Sequence, residues 1–338
     1  MTKNLPAWKK GLAASLILSV TAVLFVFLRN FNEDTLDNLL KVRGEYLLIA
    51  AVMVFLLWII EGLRIRMLVR TFSDRVDITL FKAMQVYLLT YFFASVTPWA
   101  AGEWPTHIYA LSRHGLSLGE SSAITLARSF LTKFLFTVTA IVLFAVFRGN
   151  LVPTFLNGVF AYAVFISAIT VLALLIILWK PMLLNLALQK IGSLPCGKYL
   201  FKKPVGQKAY LFLGRELQEF FHSTRSFNRF KWGNLLIISL LTVAFWSCFF
   251  SIAPIILLGL NEQVPFLQSL LWQIVIQMII IYVPVPGGSG VTELSLATLF
   301  AYFVPTSVLG IFLVAWRFFT YFVSLFSGCV VALGHLRP

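Results

Sequence analysis

The stretch "IIIYVPVPGGSGVTELSLATLF" (Ile279–Phe300) places two prolines and three glycines in an otherwise apolar run, with Glu293 just beyond them. A proline removes a backbone donor and a glycine opens the chain, so backbone N–H and C=O groups lose their helical partners here. In hydrocarbon such groups are tolerated only where protein or a water-filled cavity covers them. The stretch therefore predicts a broken helix whose tip lies inside a membrane-embedded bundle.

The composition of the whole chain agrees with a membrane location. Its 338 residues are 59% hydrophobic and 12% charged, with a mean hydropathy of +0.89, outside the range of soluble domains. Several uncharged apolar stretches approach or exceed the roughly 20 residues that cross a bilayer. They are Gly11–Leu28, Tyr46–Ile60, Leu135–Phe147, Phe155–Trp179, Leu235–Leu260 and Ser307–Leu333, the last broken only by Arg317. We predict one all-α polytopic membrane domain (residues 1–338) with about six transmembrane helices.

The net charge of +14 is unevenly distributed along the chain. Basic residues cluster before the first apolar stretch, in an expected loop Arg64–Arg75, and in a segment from Lys180 to Lys231. The positive-inside rule places these parts and both termini in the cytoplasm, so the expected location is the cytoplasmic (inner) membrane. Anionic lipid headgroups are the expected partners of this charge. Nucleic acid is not, because the basic residues are split among membrane loops without a reader motif.

Within the basic segment 180–231, Gly206–His222 mixes aromatic residues and leucines with charged side chains. This pattern is typical of a short helix that lies at the membrane interface. We predict such an interfacial helix, with a scaffolding role.

A second broken stretch, "YLLTYFFASVTPWAAGEWPTHIYALSRHGL" (Tyr87–Leu116), resembles the first. One offset places Pro98 over Pro286 and Gly102 over Gly290, and one residue of slippage then places Arg128 over Arg317. We interpret this spacing as a duplication. The predicted repeats are 46–147, with a hairpin at about 80–113, and 232–334, with a hairpin at about 265–303.

The positions of the basic segments give the two repeats opposite orientations. If each break is the tip of a re-entrant hairpin, three membrane crossings separate the two hairpins. Hairpin 1 then enters from the cytoplasm and hairpin 2 from outside, which is the inverted repeat of many secondary transporters. Two kinked helices that cross the membrane fully are the alternative that stays open.

Charged residues near the tips are candidates for substrate binding. Arg317 lies about eleven residues, or roughly 16 Å, into the last helix, too deep to reach either surface easily. Its alternative role is a structural pair with Glu293 or with a carbonyl of the tip. Arg128 lies nearer the cytoplasmic end, where snorkelling to the surface is the alternative. The full candidate set is Arg128, Arg317, Glu103, Glu293, Lys133, Pro98, Gly102, Pro286, Gly287, Gly288, Ser289 and Gly290.

The two glutamates admit several roles. Glu103 and Glu293 are interpreted as partners of the arginines, as proton carriers or as contacts to a cationic headgroup, with helix capping as the alternative. No nucleotide-binding, metal-binding or nucleophile motif is present in the sequence. We therefore expect no cofactor and no catalytic residue.

Four motifs together resemble the flippase-like membrane domain family, which includes the membrane region of lysylphosphatidylglycerol synthases. They are "VPVPGGSGVTE", "WRFFTYF", "TPWAAGEWPTHIYAL" and "LARSFLTKF". The resemblance covers almost the whole chain and implies lipid flipping or transport. The family's second motif matches Pro286, Gly287, Gly288, Gly290, Glu293 and Arg317, and its first motif matches Thr97, Pro98, Gly102, Glu103 and Arg128. The soluble aminoacyl-transferase domain of the synthases is missing, so lysylation of lipid is not expected.

The leading hypothesis is a transporter that moves a phosphate-bearing phospholipid, glycolipid or polyprenyl lipid between leaflets through a polar cavity at the midplane. A membrane-embedded lipid-modifying enzyme is one alternative. The other is a scaffold, whose partner would be a lipid or glycan biosynthetic enzyme. The oligomeric state is left open.

Overall fold

A computed structural model describes residues 7–146, 157–179, 216, 218–221, 232–263, 265–280 and 282–335. Every long regular element in these residues is a helix. The α-helices are α1 (Ala7–Arg29), α2 (Glu33–Leu40), α3 (Gly44–Phe72), α4 (Leu80–Val96), α5 (Glu103–Ser112), α6 (Leu118–Val146), α7 (Asn157–Trp179), α8 (Trp232–Gly259), α9 (Phe266–Ile280), α10 (Val291–Phe300), α11 (Thr306–Arg317) and α12 (Val323–His335). Two 3₁₀ turns, Pro98–Ala100 and Pro286–Gly288, lie between arms of broken helices. A π-helical turn, Phe318–Phe322, joins α11 to α12.

Six of the helical segments in the described residues are long and apolar enough to cross a membrane, which confirms the predicted all-α polytopic fold. They are Lys9–Arg29, Gly44–Phe72, Leu118–Leu143, Phe160–Leu178, Gly233–Gly259 and Thr306–His335. The last one includes the π turn, which leaves the segment helical throughout.

The prediction of a loop over Arg64–Arg75 is wrong for most of these residues. Helix α3 continues to Phe72, so Arg64 lies inside a helix, where it is 1% exposed. The apolar run ends at Ile60 in the sequence, but burial of the following residues keeps the chain helical. The end of α3 and the loop after it are charged, as expected. Arg66 and Arg70 of the helix bond to Asp77 in the loop and hold the pKa of that carboxyl below its usual range.

Each predicted break separates a short apolar helix from a ten-residue helix. Helices α4 and α9 have 17 and 15 residues. At 1.5 Å per residue they span about 26 and 22 Å, less than the roughly 30 Å of a hydrocarbon core. The ten-residue helices α5 and α10 pack back against them, so each unit is a helical hairpin. That these hairpins enter and leave the membrane on one side stays a prediction.

The two halves of the chain share one element order. In each half a long helix is followed by a short apolar helix, a 3₁₀ turn, a ten-residue helix and a further long helical segment. Helices α3 and α8, which occupy the same place in this order, pack extensively against each other, and the two 3₁₀ turns are in contact. The boundaries of the repeats and their opposite orientation stay predictions.

Helix α1 lies outside this order and packs against both hairpins. It contacts α4, α10, α11 and the turn Pro286–Gly288. A β-carbon at Gly11 would overlap the carbonyl oxygen of Val96, where α4 ends, so only glycine allows this approach. The first transmembrane helix therefore braces the tips of both hairpins.

Most of the basic segment 180–231 and of the predicted interfacial helix Gly206–His222 lies outside the described residues. Within that helix, residues 216 and 218–221 are helical. Glu216 accepts a hydrogen bond from the backbone N–H of Gly119 (2.8 Å), and Glu219 pairs with Arg75 (3.0 Å). This short piece therefore lies against the N-terminus of α6.

Two glycines of α12 test how closely the helices pack. A β-carbon at Gly328 would overlap the carbonyl oxygen of Leu88 in α4, whereas nothing lies within 4 Å of one at Gly334. We expect Gly328→Ala to lower stability by about 1–3 kcal/mol, the usual cost of overpacking. Thermal unfolding of the purified protein in detergent measures the effect. Gly334→Ala is the matched control, and equal stability of the two variants would contradict the packing of α4 on α12.

Candidate functional site

The hairpin tips are built from backbone conformations that few residues adopt. In the second tip Gly287 and Gly290 have φ of 62° and 87°, values that favour glycine. A β-carbon at Gly287 would also overlap the hydroxyl of Tyr321. In the first tip Trp99 has φ of 54°, which is rare for a bulky residue and is concentrated at functional sites.

The first tip is held by a group that we call the first ion cluster: Glu61, Arg64, Glu103 and Arg128. Arg128 donates from Nε to Glu61 Oε1 (2.6 Å) and from Nη1 to Glu103 Oε1 (2.9 Å). Arg64 donates from Nη1 to the other oxygen of Glu61 (3.1 Å) and from Nη2 to the carbonyl of Arg128 (2.8 Å). Two positive and two negative charges thus balance in a chain that ties α3, α5 and α6 together.

Exposure rises from one end of the first ion cluster to the other. The side chains of Glu61 and Arg64 are 0% and 1% exposed, while those of Arg128 and Glu103 are 13% and 27% exposed. Lys133, which is half-buried on α6, interacts electrostatically with Glu103. The exposed end therefore carries one positive charge more than the buried end.

The second tip is held by what we call the second ion cluster: Ser19, Ser289, Glu293 and Arg317. The Nε of Arg317 lies 2.9 Å from Glu293 Oε1 and donates to Ser19 Oγ (3.0 Å). Its Nη2 donates to the carbonyl of Gly287 (3.2 Å) and to Ser289 Oγ (3.1 Å). The side chains of Arg317 and Glu293 are 4% and 0% exposed, so this cluster is closed.

Two further contacts complete the second ion cluster. The guanidinium of Arg317 stacks on the ring of Tyr321, 3.9 Å from its centre, one turn along the π-helical segment. The second oxygen of Glu293 accepts from the backbone N–H of Gly290 (2.7 Å). Single π-helical turns inside α-helices are frequent at functional sites.

The structure brings the predicted site residues together in two groups, one at each tip. Glu103, Arg128 and Lys133 belong to the first tip with Gly102, whose N–H donates to Thr97 Oγ1 (2.8 Å); Pro98 is exposed there. The second tip holds Pro286, Gly287, Gly288, Ser289, Gly290, Glu293 and Arg317. Among the described residues no hydrogen bond or ion pair joins the two ion clusters, although the tips themselves are in contact.

Three interpretations of charged residues are settled by these contacts. The alternative role of Arg317 was a structural pair with Glu293 or with a carbonyl of the tip, and Arg317 makes both contacts. Arg128 does not snorkel, since two glutamates hold its guanidinium. Both glutamates are partners of arginines, and Glu293 also caps its helix. Whether these residues bind a substrate stays a prediction.

Four residues of the site were not found from the sequence. Glu61 directly follows the apolar stretch Tyr46–Ile60, and Arg64 was placed in the predicted loop Arg64–Arg75. Their spacing of three residues is nevertheless that of an ion pair on one helix face. Ser19 and Tyr321 gave no signal, because a serine or a tyrosine in an apolar helix has many ordinary explanations.

Six spans, two helical hairpins and buried ion clusters at their tips define a multi-pass α-helical membrane protein with charged groups inside the bundle. Residues 12–328 match the family described as the lysylphosphatidylglycerol synthase TM region, and the chain belongs to that family. The family resemblance of the sequence motifs is thereby confirmed. A "UPF0104 membrane protein" of Archaeoglobus fulgidus is 29% identical over 317 residues, which cover 93% of each chain.

The second ion cluster makes a prediction about stability. Arg317→Met leaves the buried carboxylate of Glu293 without its cation, and breaking such a pair costs about 3–5 kcal/mol. We expect a large fall in the unfolding temperature of the purified protein. The double variant Arg317→Met/Glu293→Gln removes both charges, so it is expected to recover part of the loss.

The control for this experiment is Glu293→Gln alone. A double-mutant cycle over the three variants isolates the coupling between the two side chains. Additive effects would contradict a direct ion pair between Arg317 and Glu293.

Proposed function

We propose that the protein moves a phosphate-bearing lipid between the two leaflets of the membrane, with the headgroup passing through a polar site at the hairpin tips. The observation that carries this proposal is the open end of the first ion cluster. There a partly exposed Arg128–Glu103 pair and Lys133 lie on α5 and α6, and α6 is long and apolar enough to cross a membrane. Membership of the family supports the membrane setting of the proposal.

Counted together with Lys133, the first ion cluster has one positive charge in excess, which suits an anionic headgroup. Arg64, Arg128 and Lys133 carry three positive charges against the two of Glu61 and Glu103. Since Glu61 and Arg64 satisfy each other in the buried part, the excess lies at the exposed end. A phosphate oxygen there would be attracted by Lys133 and by the Arg128 guanidinium, whose planar donors match phosphate geometry.

The proposed step is an exchange of partners on Arg128. Glu61 holds the Nε of Arg128 from the buried side throughout, so the arginine keeps its position. The headgroup phosphate replaces Glu103 as the ligand of Nη1, which frees the first turn of α5 from the arginine. A change in the ion pair is thereby coupled to the position of the hairpin tip.

The polar site lowers the free-energy cost of taking the headgroup out of water. A charge in the centre of a bilayer is costly, and polar residues that line a cavity reduce that cost. The acyl chains of the lipid remain in the bilayer while only the headgroup uses the site. The closed second ion cluster would be the corresponding site in the other orientation, which fits the alternating access of inverted repeats.

Translocation of fluorescent lipids in proteoliposomes tests the proposal. The panel contains phosphatidylglycerol, cardiolipin and a polyprenyl phosphate, with a glycosyl diacylglycerol as the polar lipid that lacks phosphate. We expect wild-type protein to move at least one phosphate-bearing lipid and not the glycosyl diacylglycerol. Movement of no lipid would contradict the proposal. Mass spectrometry of the same vesicles reports any chemically modified lipid, which would favour an enzyme.

The open end of the first ion cluster is tested by Lys133→Met. A hydrogen bond to a charged group is worth about 1.5–3 kcal/mol, so we expect the translocation rate to fall by about tenfold or more. Stability should change little, because no carboxylate of the described residues forms an ion pair with Lys133. Lys82→Met, at an exposed lysine near the start of α4, is the matched control. Equal rates in the two variants would exclude Lys133 from the site.

A further inference from the structure

A cavity of about 270 Å³ lies between the two arms of the second hairpin, beside α7. Its walls are almost entirely apolar. The apolar side chains that line it include Phe160, Trp272, Ile276, Ile280, Val291 and Leu294. Ser295 and Thr298 also line it, and the hydroxyl of Thr298 donates to the carbonyl of Leu294 (2.8 Å) in its own helix. The cavity therefore offers few partners to a polar ligand.

A cavity of this kind is suited to hydrocarbon. Protein interiors are close-packed, and water enters a cavity only where several polar groups can bond to it. Leu294 lines the cavity and is 46% exposed, so the cavity opens at the surface of the helix bundle. At the depth of the transmembrane helices, the medium outside that surface is lipid.

We propose that this cavity holds one acyl chain of a membrane phospholipid. Its volume is near the roughly 300 Å³ at which ligand pockets begin, enough for part of a chain but not for a headgroup with its water. The proposal does not depend on lipid translocation, because a bound structural lipid would use the same cavity.

The cavity lies next to the second hairpin tip. Ile280 lines it, and a β-carbon at Gly288 would overlap the Ile280 side chain, so this residue separates the chain from the tip. On α10 the residues Val291 and Leu294 face the cavity, whereas Glu293 faces the second ion cluster. A bound acyl chain would therefore support the wall against which the closed tip rests.

Photo-crosslinking in nanodiscs tests the proposal. The full chain is embedded in a mixture of phosphatidylglycerol and phosphatidylethanolamine with a trace of phosphatidylglycerol that carries a diazirine midway along one acyl chain. After irradiation, mass spectrometry locates the label. We expect label concentrated in the peptides of α9 and α10 that line the cavity. Even labelling of all lipid-facing helices would overturn the proposal.

Variants that fill the cavity sharpen the test. Leu294→Trp is expected to lose most of the label in α9 and α10. Leu172→Trp is the control, because this leucine of α7 is exposed and does not line the cavity. If Leu294→Trp fails to fold, Ser295→Phe fills the cavity from the same helix. Label that persists in a folded cavity-filling variant would contradict the proposal.

Two further arms identify the source of the chain and separate this proposal from the proposed function. A free fatty acid with the same diazirine should label the cavity more weakly than the phospholipid, and stronger labelling would overturn the assignment to a phospholipid. Lys133→Met should keep the label whether or not it translocates lipid, since the acyl chain does not use the headgroup site. Loss of the label in that variant would contradict a separate cavity.

Discussion

An arginine paired with a glutamate at the first turn of a hairpin's second arm is the interaction on which the rest of this structure depends. In both halves the pair joins a long helix to a hairpin tip, at 2.9 Å in each case. A lone charge at this depth would be strongly unfavourable, and each ion removes that penalty for the other. In the second half the same pair also holds the break in the helix. Arg317 donates to the carbonyl of Gly287, and Glu293 accepts from the backbone N–H of Gly290.

The two pairs differ in what surrounds them, and this difference carries the functional interpretation. Arg317 uses its donors within the second ion cluster and lies over the ring of Tyr321, so little of it is available to a ligand. Arg128 pairs with the buried Glu61 on one side and with the partly exposed Glu103 on the other. One tip is therefore closed and the other partly open. In the proposed function, two states that exchange these roles would provide alternating access.

Much of the fold follows from the sequence, because strong physical constraints act on it. Apolar length determines the spans, and the Pro/Gly breaks at Pro98 and Pro286 locate both tips within a few residues. The predicted duplication aligns Arg128 with Arg317, and each of them pairs with the glutamate of its own tip.

The rest depended on contacts between distant parts of the chain. Arg64 lies inside the bundle, where Glu61 pairs with its charge and the backbone carbonyl of Arg128 accepts a hydrogen bond from it. The local sequence, which shows neither contact, indicated a loop. Ser19 reaches Glu293 across 274 positions, and no local pattern reports such a contact. Sequence periodicity describes one helix at a time, whereas these residues are defined by the helices packed against them.

Access of water to the two tips tests the central proposal, that the first tip is open, on its predicted cytoplasmic side, and the second is closed. Cysteine is placed at Ala101, which is exposed, and at Ser289, which is 2% exposed, after Cys196, Cys248 and Cys329 are replaced by serine. A membrane-impermeant maleimide is added to the cytoplasmic side of oriented vesicles. We expect modification of Ala101→Cys and protection of Ser289→Cys. Protection of Ala101→Cys together with modification of Ser289→Cys would contradict the proposal.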